Sequence, residues 1–267
     1  MIFLYIAAMA VVLTLAYMRY ETTQLKTSHI RYVDYEDPLK IVHMSDLHLS
    51  YLRVNMGKII RVLQSEKPDL VILTGDYITK IKHMPMFLKF IETIKGDHKI
   101  FLCLGNHDYN TLENDEIKIS KFKKKVEKSG ATVLLNDSRC FEKDKRKYNI
   151  IGIEDLRSKR YNIESSLKSC NKNMGCNIAF SHNPDIVFKI PEGYVDYLLC
   201  GHFHGGQIWM PFNLEFRILR NEVLCKMGIT RGAHKVKGIN LYISRGLGNV
   251  CFPLRFLSTP EIAILYV

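Results

Sequence analysis

Metal-binding side chains occur in five separate segments of this 267-residue sequence, each directly after a short apolar run. They are carboxylates, imidazoles and one carboxamide: Asp46, His48, Asp76, Asn106, His182, His202 and His204. Such a set suits binuclear hydrolysis, in which two divalent ions about 3.5–4 Å apart hold a phosphoryl oxygen and activate a bridging water. A nitrogen and oxygen set without thiolate favours Mn, with Fe and Zn as alternatives, over Ca, Mg or Cu(I).

Two pairs of these residues share the spacing i, i+2, namely Asp46 with His48 and His202 with His204. In an extended backbone, residues two apart point to the same side. We therefore expect each pair to present both side chains to one site from extended backbone.

The elements that position these residues are short strands alternating with longer helical segments. The apolar runs predict strands at 40–44, 69–73, 99–104, 148–153, 177–180 and 195–200, and helical spacing predicts helices at 55–65, 85–95 and 116–129. This alternation is typical of an α/β fold with a largely parallel core. Ligands bind outside the carboxyl ends of strands in such sheets, so we expect the five segments to meet at one edge of one sheet.

The order of the motifs resembles that of the calcineurin-like metallophosphoesterase superfamily, over residues 39–267. The matching pieces are Asp46-x-His48, Gly75-Asp76, Gly105-Asn106-His107-Asp108, His182 and Gly201-His202-x-His204. The C-terminal part is similar to a bacterial branch of membrane-associated phosphodiesterases that includes UDP-diacylglucosamine pyrophosphatases. That similarity is carried by Gly201-His202-Phe203-His204-Gly205-Gly206-Gln207-Ile208, Ser244-Arg245-Gly246-Leu247-Gly248, Pro253-Leu254-Arg255-Phe256 and Pro260-Glu261-Ile262.

The resemblance implies a four-layer α/β/β/α sandwich of two mixed sheets and a role for each motif residue. The first metal would be held by Asp46, His48 and His204, with Asp76 bridging both ions, and the second by Asn106, His182 and His202. His107 would contact phosphate and protonate the leaving oxygen, and Asp108 would orient His107. A metal-bridging hydroxide would attack the phosphorus. Protein Ser/Thr phosphatases carry Asp and Arg after Gly75-Asp76, where this chain has Tyr77-Ile78-Thr79-Lys80, which argues against phosphoprotein substrates.

The N-terminal residues 1–18 form an apolar run without a charged side chain. As a helix this run would extend about 27 Å, enough to cross the hydrocarbon core of a bilayer. It predicts one transmembrane anchor, with a cleaved signal peptide or a buried core helix as alternatives. Basic residues follow the run at Arg19, Lys26 and Arg31 and none precede it, which favours a cytoplasmic catalytic domain over an extracytoplasmic one.

Composition and charge set the remaining limits. Residues 19–38 are polar and predict a linker or an edge segment, followed by the metallophosphoesterase catalytic domain at 39–267. An apolar fraction of 47% with 24% charged residues excludes collagen, low-complexity chains and wholesale disorder. Only one apolar run approaches bilayer length, which excludes a multi-span membrane protein. The net charge of +11 favours an anionic partner, either a phosphate ester, a nucleic acid or an acidic lipid.

The substrate prediction depends on the anchor, because tethering concentrates an enzyme near membrane-bound substrates. We expect a lipid-linked phosphodiester or pyrophosphate. Residues 209–220 would either accept an acyl chain while Arg217 or Arg220 pairs with phosphate, or form a core strand and loop. A membrane-tethered nuclease or nucleotide phosphodiesterase and a non-catalytic scaffold are the alternative functions, although no nucleic-acid-binding module is recognisable. The sequence does not indicate an oligomeric state.

Overall fold

The computed structural model describes residues 1–168 and 175–267, which form two six-stranded sheets with flanking helices. The strands are β1 Lys26–Arg31, β2 Lys40–Met44, β3 Leu70–Thr74, β4 Lys99–Cys103, β5 Thr132–Val133, β6 Asp137–Lys143, β7 Arg146–Gly152, β8 Cys176–Phe180, β9 Tyr197–Cys200, β10 Gly232–Val236, β11 Ile239–Ile243 and β12 Glu261–Tyr266. The α-helices are α1 Ile2–Glu21, α2 Met56–Glu66, α3 Met84–Ile94, α4 Asn106–Thr111, α5 Glu116–Lys128, α6 Ile163–Leu167, α7 Leu214–Leu219 and α8 Val223–Lys226.

Both sheets are mixed. The first has the order β1-β12-β2-β3-β4-β5, in which β2 to β5 run parallel and β12 pairs antiparallel with β2. The second has the order β10-β11-β9-β8-β7-β6, with parallel central strands and an antiparallel strand at each edge. The six predicted strands are present, with ends that differ by one or two residues.

The strands are apolar on both faces because both faces of each sheet are covered. Ile41 and Ile72 of the first sheet share one buried cluster with Ile150 and Ile178 of the second, so this cluster fills the space between the sheets. The alternate residues point outward, as Val71 does, and pack against the apolar sides of α2, α3 and α5. A third cluster joins the outer face of the second sheet to α7 and α8. The predicted four-layer α/β/β/α sandwich is confirmed.

Residues 19–38 are more ordered than a linker. Their central part is β1, which forms the edge of the first sheet by pairing in parallel with β12 over its full length. The edge-segment interpretation describes this stretch and the linker interpretation does not. The sequence could not distinguish the two because β1 is polar and half-exposed and its partner lies more than two hundred residues away.

Helix α1 is long and apolar enough to cross a membrane and is almost entirely exposed. Its last turn is attached to residues 255–259. The Met18 carbonyl accepts a hydrogen bond from the Arg255 amide at 3.2 Å, and buried Glu21 accepts from the Leu257 amide at 2.8 Å and from Thr259 Oγ1 at 2.9 Å. The direction in which α1 leaves the catalytic domain is therefore fixed by hydrogen bonds.

Candidate metal centre

The candidate metal-binding side chains follow strands of both sheets. Asp46, Asp76 and Asn106 come after β2, β3 and β4 of the first sheet, whereas His182 and His202 come after β8 and β9 of the second. The expectation that a single sheet edge would hold them all is wrong. The carboxyl ends of both sheets meet at the same end of the sandwich, and each sheet supplies part of the site.

Asp46, His48 and His204 form the first group of potential ligands. One ligand atom from each of these buried residues lies within 4.8 Å of the other two, and His204 Nε2 is 3.1 Å from Asp46 Oδ1. A carboxylate and two imidazoles in this arrangement can hold one divalent ion.

Asp76, His182 and His202 form the second group, again with their ligand atoms within 4.8 Å of one another. His182 Nε2 is 3.1 Å from Asp76 Oδ2, and His202 Nδ1 is 3.1 Å from His182 Nε2.

Asp76 connects the two groups. Its Oδ2 atom lies 3.1 Å from His182 Nε2 in the second group and 3.7 Å from His48 Nε2 in the first. Its other oxygen, Oδ1, accepts a hydrogen bond from the His107 amide at 2.9 Å, which fixes the carboxylate plane. A carboxylate held between two imidazole groups has the position required of a ligand shared by two ions.

Several nitrogen and oxygen atoms that could bind a metal are buried in the site without a hydrogen-bond partner among the described residues. They are both ring nitrogens of His48, Nδ1 of His204 and Oδ1 of Asn106. Leaving such an atom buried and unpaired costs about 1–3 kcal/mol, so groups of them are rare unless a ligand satisfies them. The neutral nitrogen and oxygen atoms in this set fit divalent ions of the Mn, Fe and Zn type.

The backbone that carries these ligands is left-handed and not extended. The φ angles are 52° at Asp46, 35° at His48, 72° at His202 and 52° at His204, so the predicted extended geometry of the two i, i+2 pairs is wrong. Each such residue costs about 1–3 kcal/mol unless its surroundings hold it. Backbone hydrogen bonds do so here, since Asp46 donates to the Gly75 carbonyl at 3.1 Å and His48 donates to that of Asp76 at 2.9 Å.

Two glycines allow the loops to approach the ligands. A Cβ atom at Gly105 would overlap the Asp76 carboxylate, and one at Gly201 would overlap the side chains of Ser45 and Asp46. Any larger residue at either position would displace a ligand carboxylate.

His107 and Asp108 have different surroundings. The His107 ring is half-buried and meets the His48 ring edge-on at 5.1 Å, at the mouth of the metal-binding groups. We expected Asp108 to orient His107, and this is wrong. The buried Asp108 carboxylate accepts hydrogen bonds from backbone amides of Asp76, Tyr77, Ile78 and Gly105, so it binds together the loops that carry Asp76 and Asn106.

Comparison with known proteins identifies the family. The model of the calcineurin-like phosphoesterase family matches residues 39–206, which is more than half of the chain. The chain belongs to the calcineurin-like phosphoesterase family. It is therefore a phosphoric ester hydrolase of a family that uses divalent metals, with two candidate metal-binding groups.

Relatives of this phosphoesterase include proteins of several bacteria. It is 32% identical over 227 residues to the metallophosphoesterase YkoQ of Bacillus subtilis (strain 168), covering 84% of this chain and 82% of YkoQ. It is 26% identical to the UDP-2,3-diacylglucosamine pyrophosphatase LpxG of Chlamydia trachomatis serovar D, covering 85% and 83% of the two chains. It is also 26% identical to the phosphodiesterase YaeI of Escherichia coli (strain K12), covering 85% and 82%.

Two candidate ligand histidines of the phosphoesterase are oriented by outer partners. His182 Nδ1 lies 2.7 Å from the Thr74 carbonyl and must donate to it, which turns Nε2 toward Asp76. His202 Nε2 lies 3.0 Å from Glu222 Oε1 and 3.1 Å from Arg220 Nη1, which leaves Nδ1 facing the second group. Partners of this kind fix the ring orientation and the tautomer of metal-binding histidines.

Electrostatics favour the ionised carboxylates. Burial raises the pKa of Asp46, but the surrounding imidazoles of His204, His182 and His48 outweigh burial and hold this pKa well below its usual range. Burial lowers the pKa of His182, but the carboxylates of Asp76, Asp46 and Asp155 together outweigh burial and raise it to about 10. Without metal, protonated His182 therefore balances the negative charge of buried Asp76. A divalent ion would replace the proton on His182.

A cavity of about 530 Å³ opens onto the metal-binding groups of the phosphoesterase. It is lined by Asp76, Asn106, His107, Leu156, Arg157, Asn183, Asp185, His202, His204, Arg220, Asn221, Glu222 and Val250. Arg220 donates to the His202 carbonyl at 2.9 Å and reaches the cavity, whereas Arg217 is exposed on α7 outside this lining. Of the two arginines considered for phosphate binding, Arg220 has the suitable position.

Sequence reasoning missed Glu222, because no motif surrounds it and its link to His202 exists only in the folded chain. Two further acidic residues, Asp155 and Asp185, lie outside the motifs. Asp185 is a cap, accepting from the amides of Val223 and Leu224 at the start of α8, but it is buried. Asp155 is buried as well.

Proposed function

We propose that this phosphoesterase holds two divalent ions and hydrolyses a phosphodiester or pyrophosphate that is linked to a membrane lipid. The observation that carries the binuclear part is the position of the Asp76 carboxylate, which contacts an imidazole of each ligand group. The first ion would bind Asp46, His48 and His204, the second would bind Asn106, His182 and His202, and Asp76 would bind both. Mn is the expected metal, with Fe and Zn as alternatives.

The bound ions would act as Lewis acids that polarise the phosphoryl group and activate the attacking water. Side chains of the protein would bind the phosphate and protonate the leaving oxygen. Arg220 and the amide group of Asn106 point into the cavity, where they can donate hydrogen bonds to phosphoryl oxygens. His107, at the mouth of the site, would donate a proton to the leaving oxygen. This scheme contains no covalent phospho-enzyme, so hydrolysis of a substrate that is chiral at phosphorus should invert the configuration, whereas a phospho-enzyme would retain it.

The lipid-linked part of the proposal is supported by α1 and by one relative. Helix α1 would anchor the protein, and the excess of basic residues after it would place the catalytic domain in the cytoplasm. LpxG is named for a substrate in which a diacylated sugar is joined to a nucleotide by a pyrophosphate. A substrate of that class combines the two features of this chain, a membrane segment and a phosphoesterase site.

The test is metal content and Mn-dependent hydrolysis of bis(p-nitrophenyl) phosphate by the full chain in detergent. We expect two ions per chain, and we expect Asp76→Ala to lose both ions and turnover. His29→Ala is the matched control, because it removes an exposed imidazole of the edge strand β1, outside the ligand motifs, and should change neither quantity. One ion in the parent protein, or two ions in Asp76→Ala, would contradict the binuclear site. Equal rates on soluble nucleotides and lipid-linked pyrophosphates would contradict the lipid-linked substrate.

A further inference from the structure

One face of the catalytic domain carries an unusual number of exposed apolar side chains. Phe212, Ile218 and Phe252 expose 81%, 72% and 67% of their surface. Three more large apolar side chains lie beside them in the chain, and we define the whole set as the apolar rim: Met210, Phe212, Leu214, Ile218, Phe252 and Leu257. Exposed apolar groups that recur in two neighbouring segments indicate an interaction surface.

The apolar rim lies next to the end of α1. The Trp209 amide donates to the Phe256 carbonyl at 2.9 Å, which joins the first rim segment to the second. The Phe256 ring in turn meets the Tyr17 ring of α1 edge-on at 5.9 Å. The surface of the rim is therefore continuous with the apolar surface of the candidate membrane helix.

A groove runs from the rim to the metal centre. It has a volume of about 340 Å³ and a mainly apolar lining that includes Phe203, Ile208, Phe216 and Phe252. The groove and the metal-centre cavity share three lining residues, His204, Arg220 and Val250. An apolar chain in this groove would have its polar end at the ligand groups.

The strained backbone at Phe212 is further evidence that the apolar rim contacts a partner. Its φ of 58° lies in the left-handed region, which is strained for an aromatic residue, and Asn213 follows with a φ of 54°. With this backbone conformation the Phe212 ring lies in solvent, and its contacts with the described residues do not offset the strain. Contact of the ring with lipid would offset the strain.

Charge at the rim favours an anionic membrane. Exposed Arg19 follows the apolar run of α1, and exposed Arg217 lies on α7 between the rim residues. Basic residues that flank apolar side chains at a surface are typical of proteins that dock on acidic headgroups.

We propose that the apolar rim docks on the bilayer into which α1 inserts, so that the groove opens at the level of the lipid headgroups. A lipid-linked phosphoester could then enter the groove without leaving the membrane. This inference rests on the proposed anchoring and substrate class, and it adds that the catalytic domain itself contacts the lipid.

The test uses Trp209, the only tryptophan in the chain, as a probe beside the rim. The full chain is reconstituted into vesicles of phosphatidylcholine and phosphatidylglycerol, with and without bromine on the upper acyl chain. We expect brominated lipid to lower Trp209 fluorescence by about twofold or more, because docking brings the indole to the headgroup boundary. The double variant F212S/I218S should lose most of this quenching while still floating with the vesicles through α1.

The matched control is Ile117→Ser, which removes an equally exposed apolar side chain from α5. Helix α5 packs against β5, at the opposite edge of the first sheet from β1, so this variant should be quenched like the parent. An unquenched parent protein that still floats with the vesicles would overturn the docking surface, as would equal quenching in F212S/I218S. Hydrolysis of bis(p-nitrophenyl) phosphate by the same samples reports the metal centre separately, so failure of docking and failure of the proposed chemistry are distinguishable.

Discussion

At the scale of single residues, the metal centre depends on partners that lie behind the ligands. His202 presents Nδ1 to the second group while its Nε2 lies 3.0 Å from Glu222 Oε1 and 3.1 Å from Arg220 Nη1. Burial raises the pKa of Glu222, but the contact with His202 outweighs burial and lowers it to about 2, so the carboxylate is ionised at neutral pH. The charge on Glu222 makes His202 a stronger ligand than an isolated imidazole.

Glu222→Gln should weaken the affinity of the second metal by about 10–100-fold, because the neutral amide no longer fixes the tautomer of His202. The first metal should bind as before. Sequential metal titration by calorimetry measures both affinities. Glu164→Gln, at an exposed carboxylate on α6, serves as the control, and equal affinities for Glu222→Gln and this control would contradict the role of Glu222.

His107 should be separable from the ligands. His107→Ala is expected to keep both metals and to reduce kcat by about 10²–10⁴-fold, the contribution usual for a positioned general acid. The reduction should be smaller for a substrate with an activated leaving group, which needs no protonation. Loss of metal in this variant would instead identify His107 as a ligand.

At the scale of elements, the loop at 244–249 and the end of α1 are joined through one buried arginine. The Arg255 guanidinium is fully buried and donates to the carbonyls of Arg245, Gly246, Gly248 and Ser258. The Gly248 amide in turn donates to the Asp46 carbonyl at 2.7 Å. Arg255 therefore supports the backbone of a proposed ligand from behind.

Arg255→Met should lower the free energy of unfolding by about 3 kcal/mol, since it leaves several buried carbonyls without a donor. It should also weaken the first metal more than the second, because Asp46 belongs to the first group. Denaturant unfolding and metal titration measure these effects. Arg217→Met removes an exposed guanidinium and should change stability by about 0.5 kcal/mol at most; a similarly small effect in Arg255→Met would show that the carbonyls find other donors.

Some strands could be predicted from the sequence and others could not. Strands such as β3 were predictable because an apolar run ends at Gly75-Asp76, and the ligand set followed from the motifs at the strand ends. Strands β6 and β10 are half-polar edges, which carry a weak pattern. Strand β11 was not predicted although its residues are mostly apolar and buried. The left-handed backbone at Asp46 and His202 could not be predicted, because contacts between distant loops impose it against local preference.

At the scale of the whole molecule, the candidate metal centre lies between the two sheets, so bound metal would contribute to holding them together. Asp46 and Asp76 come from the first sheet, and His182, His202 and His204 come from the second. A ligand that binds only the folded state stabilises it by about 2.7 kcal/mol at one hundred times its dissociation constant. Metal binding and the packing of the two sheets are therefore coupled.

Removal of metal by a chelator should lower Tm by about 5–10 °C for a chain of this length. Restoring Mn should recover the original Tm. Calorimetry of the full chain in detergent measures this, and Asp76→Ala should show no shift on adding either chelator or Mn. An unchanged Tm in the chelated parent protein would mean that metal binding does not couple the sheets.

The parallel pairing of β1 with β12 has a practical consequence for anyone who removes the N-terminal helix. A fragment that begins at residue 39 would retain the motifs but would lose β1, leaving the outer edge of β12 open along Glu261–Tyr266. An apolar strand with free amides and carbonyls is a template for edge-to-edge aggregation. Soluble preparations should therefore start before Lys26, and poor behaviour of a shorter fragment would reflect a missing strand and not a failing catalytic domain.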